Sequence, residues 1–151
     1  MDVIKASTLK VDFLKKPPNG VPLIFIDPST RTLRKLSDSG YQEISLNRDL
    51  AAKLMKLPIE QRSLSIMQKT REILGQNHSG VIIRDFEMLF DPDYHLDVLK
   101  MFCELANQFR IAVVWCGSFH ENTLEFAEPG YSDYHSYLQE ELLYYQQLPP
   151  A

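Results

Sequence analysis

The sequence predicts an α/β domain with a mainly parallel sheet and helices on both faces, and three observations predict it. Short, almost wholly apolar runs, such as residues 21–27 and 110–117, are typical of strands buried on both faces of a parallel sheet. Segments with apolar residues at helical spacing separate these runs, which favours crossover helices between parallel strands. The chain has 151 residues, 44% hydrophobic and 24% charged, which fits one domain with its own core.

The first half of the chain begins with an arm and continues as strands and helices. Lys-Lys-Pro-Pro-Asn-Gly at residues 15–20 predicts an irregular amino-terminal arm over residues 1–20, followed by a single domain over residues 21–148. The elements expected in chain order are strand 21–27, helix 30–36, strand 41–47, helix 48–57 and helix 59–75. Asn47 is expected to cap the second of these helices, and Pro58 to separate it from the third.

The second half continues the alternation. The elements expected are strand 80–86, a helix after Asp91, strand 110–117, a short strand 122–128 and a final helix 132–147. Asp91 is expected to cap its helix because Pro92, which has no N–H, suits the first helical position. The final helix would place Tyr134, Tyr137 and Tyr145 on one side, as core packing or as a partner surface.

Charge and cysteine content narrow the classes of function. A net charge of -4 argues against a DNA-binding surface built from bulk positive charge, although Arg31, Arg34 and Lys35 form a local basic patch. Cys103 and Cys116 are too far apart for a metal-binding pair, and reduced thiols are the simpler interpretation, with one disulfide as the alternative. No segment approaches the roughly 20 apolar residues of a membrane span, so we expect a cytoplasmic protein without membrane contact.

The carboxyl ends of parallel strands form the ligand-binding edge of such sheets. A phosphate loop after the first strand would have the pattern G-x-x-x-x-G-K-[ST], because glycines turn N–H groups toward the phosphates and lysine supplies a mobile charge. The residues at this place are Asp27, Pro28, Ser29, Thr30, Arg31 and Thr32. They include no glycine and no lysine, with Arg31 at the lysine position and Thr32 at that of the metal-binding hydroxyl. The alternative is a helix start capped by Ser29 or Thr30.

Three further residues follow the third and fourth strands. Asp85 and Glu87 would orient Mg²⁺ and activate water in a nucleotide hydrolase, but acids that are merely solvated at a strand exit are the favoured interpretation. Cys116 stands where such enzymes often place a polar sensor of the terminal phosphate, and a packed cysteine is favoured there. The histidines lack the spacing of a metal site and are expected at the surface; they are His78, His95, His120 and His135.

Residues 41–137 resemble the BrxF family, the small P-loop, AAA-like component of BREX type 3 phage-defence systems. The resemblance rests on the segments ISLNRDLAAKLMKLPIEQR, VIIRDFEMLFDPDYHLDVLKMF, RIAVVWCG and LEFAEPGYSDYHSY. Leu-Phe-Asp-Pro at residues 89–92 and Ala-Glu-Pro-Gly at residues 127–130 match the family pattern. The resemblance implies a three-layer, P-loop-NTPase-like (AAA-like) domain.

The chain departs from that pattern at the nucleotide site. The phosphate loop, or Walker A motif, is degenerate, Cys116 replaces an asparagine, Phe126 replaces a tyrosine, and either Arg84 or Asp85 occupies the position of the acid. The resemblance therefore implies a pseudo-ATPase without cofactor that contacts other antiviral defence proteins and forms a homo-oligomer. Two alternatives stay open: a nucleic-acid-binding accessory subunit, and a weak ATPase that uses ATP and Mg²⁺ with Arg31, Thr32, Asp85 and Glu87.

Overall fold

A parallel sheet lies at the centre of the molecule. The computed structural model describes residues 3–4, 22–75, 80–121 and 123–138. The strands of this sheet are β1 (Val3–Ile4), β2 (Leu23–Phe25), β3 (Gln42–Ser45), β4 (Val81–Arg84) and β5 (Ile111–Val114). Their order is β1-β2-β5-β4-β3, and every neighbouring pair is parallel. The predicted α/β class with a parallel sheet is thus confirmed.

Helices cover both faces of this sheet. They are α1 (Thr30–Asp38), α2 (Leu46–Leu54), α3 (Ile59–Leu74) and α4 (Val98–Leu105). Leu36 of α1 is buried in one cluster with Phe25 and Ile82, whereas α2, α3 and α4 belong to a second, larger cluster with Ile24 and Ile83. Neighbouring strand residues therefore fall into different clusters, because side chains of a strand point alternately to its two faces. Within the described ranges, every helix is too short or too polar to cross a lipid bilayer.

A small antiparallel sheet follows β5, and of its strands the sequence pattern predicted only the short one over residues 122–128, which is β7. Its strands, in spatial order, are β6 (Ser118–His120), β7 (Thr123–Phe126) and β8 (His135–Leu138). Trp115 joins the two sheets: its backbone N–H donates to the Phe25 carbonyl, and its indole N–H donates to the Glu125 carbonyl, each at 3.0 Å. Gly117 passes so close to β7 that a Cβ atom there would lie 1.8 Å from the Glu125 carbonyl oxygen.

Two predicted helix starts are wrong. The helix expected over residues 48–57 begins at Leu46, directly after β3, so Asn47 lies inside its first turn and cannot be the cap. Asp91 caps only a single 3₁₀ turn at Pro92–Tyr94, whose left-handed end at His95 stops it. The cap of α4 is Asp97, which accepts a hydrogen bond from the Lys100 N–H at 3.1 Å.

The predicted terminal helix over residues 132–147 is also wrong where the structure describes it. Residues 135–138 form β8 and pair with β7. Tyr137 is buried and its neighbour Ser136 is exposed, and this alternation between successive residues is typical of a strand. Residues 139–147, including Tyr145, lie outside the described residues. In the predicted irregular arm, Val3–Ile4 forms β1, and residues 5–20 lie outside the described residues.

Candidate functional site

The exits of four parallel strands line up along the carboxyl edge of the main sheet. In spatial order these are the exits of β2, β5, β4 and β3. They present Asp27, Cys116, Asp85 and Asn47, which are the residues, or neighbours of the residues, that the sequence singled out. The structure brings Cys116, Asp85 and Asn47 together with Glu87. The segment after β2 instead forms the start of α1.

Asn47 connects the exits of β3 and β4 through three hydrogen bonds. Its backbone N–H donates to the Asp85 carbonyl at 2.6 Å. Its side-chain Nδ2 donates to Glu87 Oε2 at 2.5 Å, and its Oδ1 accepts from the Met88 N–H at 3.1 Å. One amide side chain therefore fixes the position of the Glu87 carboxylate and of the turn that carries it. A residue that sequence reasoning treated as a helix cap thus organises the site, and the only signal for it was its place at a strand exit.

Asp85 and Glu87 face solvent because the residue between them is buried. The Phe86 ring is 0% exposed and lies edge-on to Phe102, with ring centroids 5.1 Å apart. Anchoring this ring in the core turns both neighbouring acids outward, where they are exposed. Asp85 has a left-handed backbone with φ of 51°, a conformation that aspartate tolerates better than most side chains. Asp85 and Glu87 are thus two exposed acids on either side of a buried aromatic residue. Their roles in orienting Mg²⁺ and activating water stay predictions.

Cys116 lies within the electrostatic reach of both acids. Burial, together with the negative charge of Glu87 and the smaller effect of Asp85, raises the pKa of the Cys116 thiol to about 12. The thiol is therefore protonated at neutral pH and is not set up as a nucleophile. Cys103 is likewise a free cysteine, and burial is the main cause that raises its pKa to about 11. Both cysteines are thus free, and Cys116 is packed at its strand end as the sequence predicted.

The segment after β2 begins α1. Ser29 is the N-cap: its hydroxyl accepts from the Thr32 N–H at 3.2 Å and lies 3.1 Å from the Thr32 hydroxyl. Thr32 is only 3% exposed, so its hydroxyl is committed to this contact. Asp27 has a left-handed backbone with φ of 41°, and Pro28 contributes no N–H. The local geometry is that of a capped helix, as the second interpretation of this segment held.

Thr30 and Arg31 lie exposed in the first turn of α1. Their helix carries the predicted basic patch, with Arg34 on the following turn and Lys35 in the last turn. No acidic residue occupies the first turn of α1, so its amino-terminal end remains favourable for negative charge. With three basic residues and one acid, α1 carries a local positive charge in a chain whose net charge is -4.

None of the three histidines that the structure describes joins the site. The ring of His120 contacts Glu125 at 3.0 Å across the antiparallel sheet. His135, which was expected at the surface, is half-buried with its ring 5.0 Å from that of Phe90. His95 ends the 3₁₀ turn, and His78 lies outside the described residues. In the described part of the chain, no group of three or more metal-ligating side chains forms a cluster.

The chain was compared with family models, with curated proteins and with solved structures. None of the three comparisons finds a significant match.

Proposed function

We propose that this chain is a non-hydrolysing, P-loop-like subunit of an antiviral defence system of the BREX type, acting through protein–protein contacts. The parallel order β2-β5-β4-β3, with helices on both faces, supports a three-layer, AAA-like scaffold. The BrxF-like segments supply the biological context, and they lie on the scaffold elements. In this proposal the domain keeps the architecture of a nucleotide-binding protein, and its surface binds other proteins of the defence system.

The hydrogen bond between Ser29 and Thr32 is the observation that carries the proposal. A working phosphate loop points consecutive backbone N–H groups and a hydroxyl at the nucleotide. Here the Thr32 N–H and hydroxyl both contact Ser29, and Thr32 is buried. Asp27 adds a negative charge on the side where phosphate would approach, which disfavours an anion further. These contacts favour a binding module over the weak ATPase.

Exposed apolar side chains support action through partner proteins. Met55 and Ile59 flank the turn between α2 and α3 and are 74% and 77% exposed, and Leu64 of α3 is 86% exposed. Met55 and Ile59 lie four residues apart about this turn, and exposed apolar neighbours of this kind are typical of protein interfaces. The interface is therefore proposed at the α2–α3 turn, away from the carboxyl edge of the sheet.

The nucleotide arm of the test is a thermal shift measured with 5 mM ATP and Mg²⁺. We expect the melting temperature to stay within the error of the buffer control, because a ligand that does not bind the native state cannot stabilise it. A rise that Asp85→Ala abolishes would reject the proposal in favour of the weak ATPase.

The partner arm uses the tagged chain co-expressed with the proteins encoded beside its gene. We expect a methyltransferase, a PglZ-like phosphatase or a large ATPase to co-purify, and Leu64→Asp to release it. Gln108→Asp is the matched control, because Gln108 is an exposed, polar residue that lies outside α2 and α3. If neither variant changes the complex, the interface is misplaced; if wild-type protein binds none of these neighbours, the defence assignment fails.

A further inference from the structure

A groove on the α1 face of the sheet lies apart from the cluster of Asn47, Asp85, Glu87 and Cys116. It encloses about 350 Å³ between α1 on one side and β3 and β4 below. Its lining residues are Thr30, Leu33, Arg34, Ser37, Tyr41, Glu43, Ile82 and Arg84. The four from α1 have the spacing i, i+3, i+4 and i+7, so one face of this helix forms the whole wall. Among the described helices, only α1 packs on this face of the sheet.

The floor of the groove is apolar and well ordered by its neighbours. Ile82 is 2% exposed and the Tyr41 ring 3% exposed, and Leu33 packs against them. Arg110 lies over the Tyr41 ring at 5.3 Å from its centroid, and a Cβ atom at Gly80 would come within 2.9 Å of that ring. The Arg110 side chain and the Gly80 backbone therefore hold the Tyr41 ring in place. Because Ile82 and Tyr41 are almost wholly covered, the half-buried Leu33 of the wall is the apolar side chain that an aromatic ligand would contact in the groove.

The charges of the groove favour an anion. Arg84 donates to Glu43, so these two charges compensate each other. Among the described residues, the Arg34 guanidinium makes no ion pair or hydrogen bond, and it leaves the groove with one uncompensated positive charge. Burial raises the pKa of Tyr41 to about 12 against the smaller, opposing effect of Arg110, so its phenol is neutral at pH 7 and does not repel an anion.

We propose that the α1 groove binds a small aromatic anion, with the ring against Leu33 of the α1 wall and the carboxylate, sulfonate or phosphate on Arg34. The volume falls within the roughly 300–1,000 Å³ of small-molecule sites in proteins. A guanidinium binds two oxygens of such a group at once, which fixes the orientation of the ring in the groove. This site is independent of the partner interface proposed on α2 and α3.

The test uses 8-anilinonaphthalene-1-sulfonate, an aromatic sulfonate that fluoresces when it leaves water. We expect saturable binding to the full-length chain and weakening of about tenfold or more in Arg34→Ala, because a hydrogen bond to a charged group is lost. Ser37→Trp fills the groove from an exposed helix position and should abolish the saturable signal. Arg71→Ala removes the same charge from the exposed surface of α3 and should leave the dissociation constant unchanged.

The neutral analogue N-phenyl-1-naphthylamine separates the charge from the ring. We expect its affinity to be the same for wild type and Arg34→Ala and to be lost in Ser37→Trp. Circular dichroism of each variant establishes that the chain is folded. Unchanged sulfonate binding in Ser37→Trp would place the dye elsewhere and overturn the site, and unchanged binding in Arg34→Ala would overturn the anionic class of ligand. Absence of saturable binding to wild type would overturn both, without bearing on the partner interface.

Discussion

At the scale of single residues, the packing of buried neighbours sets the orientation of the polar side chains at the carboxyl edge of the sheet. Asp85 and Glu87 face outward because Phe86 is buried between them, and Asn47 then holds Glu87 in place. Their negative charges act back on Cys116, whose thiol is already hard to ionise because it is partly buried. The chemistry of each polar group at this edge thus follows from the side chain packed next to it.

Glu87→Gln should make Cys116 more reactive. Loss of this negative charge lowers the pKa of the thiol, so the thiolate fraction at pH 9 rises, and we expect alkylation by iodoacetamide to accelerate roughly twofold to fivefold. Mass spectrometry of the alkylated peptide gives the rate from pH 8 to 10. Cys103 is the internal control, since burial, and not Glu87, raises its pKa. Equal rates for Cys116 in both proteins would contradict the electrostatic coupling.

At the scale of elements, the antiparallel sheet depends on a close backbone approach at Gly117. Trp115 attaches β5 to β7 through the Glu125 carbonyl, and Gly117 then passes beneath the same carbonyl. Any side chain at position 117 would have to displace the backbone of β7. The Trp-Cys-Gly sequence therefore serves as a junction between two sheets, with the cysteine enclosed between its neighbours.

Gly117→Ala should loosen this junction. The added methyl group overlaps the Glu125 carbonyl, and we expect a loss of about 1–3 kcal/mol in the free energy of unfolding. Urea titration followed by Trp115 fluorescence measures it, because Trp115 is the single tryptophan of the chain and is 4% exposed. Gly75→Ala is the control, since Gly75 has an ordinary right-handed backbone at the end of α3 and should change stability little. A loss no larger than that of the control would argue against the close approach.

At the scale of the whole molecule, both sheets share one core. Leu124 of β7 and Tyr137 of β8 belong to the same buried cluster as Ile83, Phe102 and Val113. The aromatic rings of Phe90 and Phe126 meet edge-on at 4.2 Å, where a first 3₁₀ turn at Glu87–Phe90 packs against β7. Because the small sheet contributes to this cluster, it is a part of the domain and not an appended hairpin.

The two sheets should therefore unfold together. Far-ultraviolet circular dichroism and Trp115 fluorescence are expected to give coincident urea transitions, as for a two-state domain. Circular dichroism reports mainly on the four helices of the described residues, whereas Trp115 lies at the junction of the sheets. A fluorescence change at lower urea than the loss of helix would show that the antiparallel sheet separates first.

The sequence by itself determined the class of fold, since apolar runs identify buried parallel strands and their periodicity identifies α1, α3 and most of α2. The residues that follow these apolar runs also located the strand exits, at which the structure places Asp27, Asn47, Asp85 and Cys116. Only the tertiary structure decided the roles of Asn47 and Gly117 and the strand at His135–Leu138, because these depend on partners far away in the chain. Local propensity reports what a segment forms alone, and the ladder with β7 and the packing of Tyr137 override it.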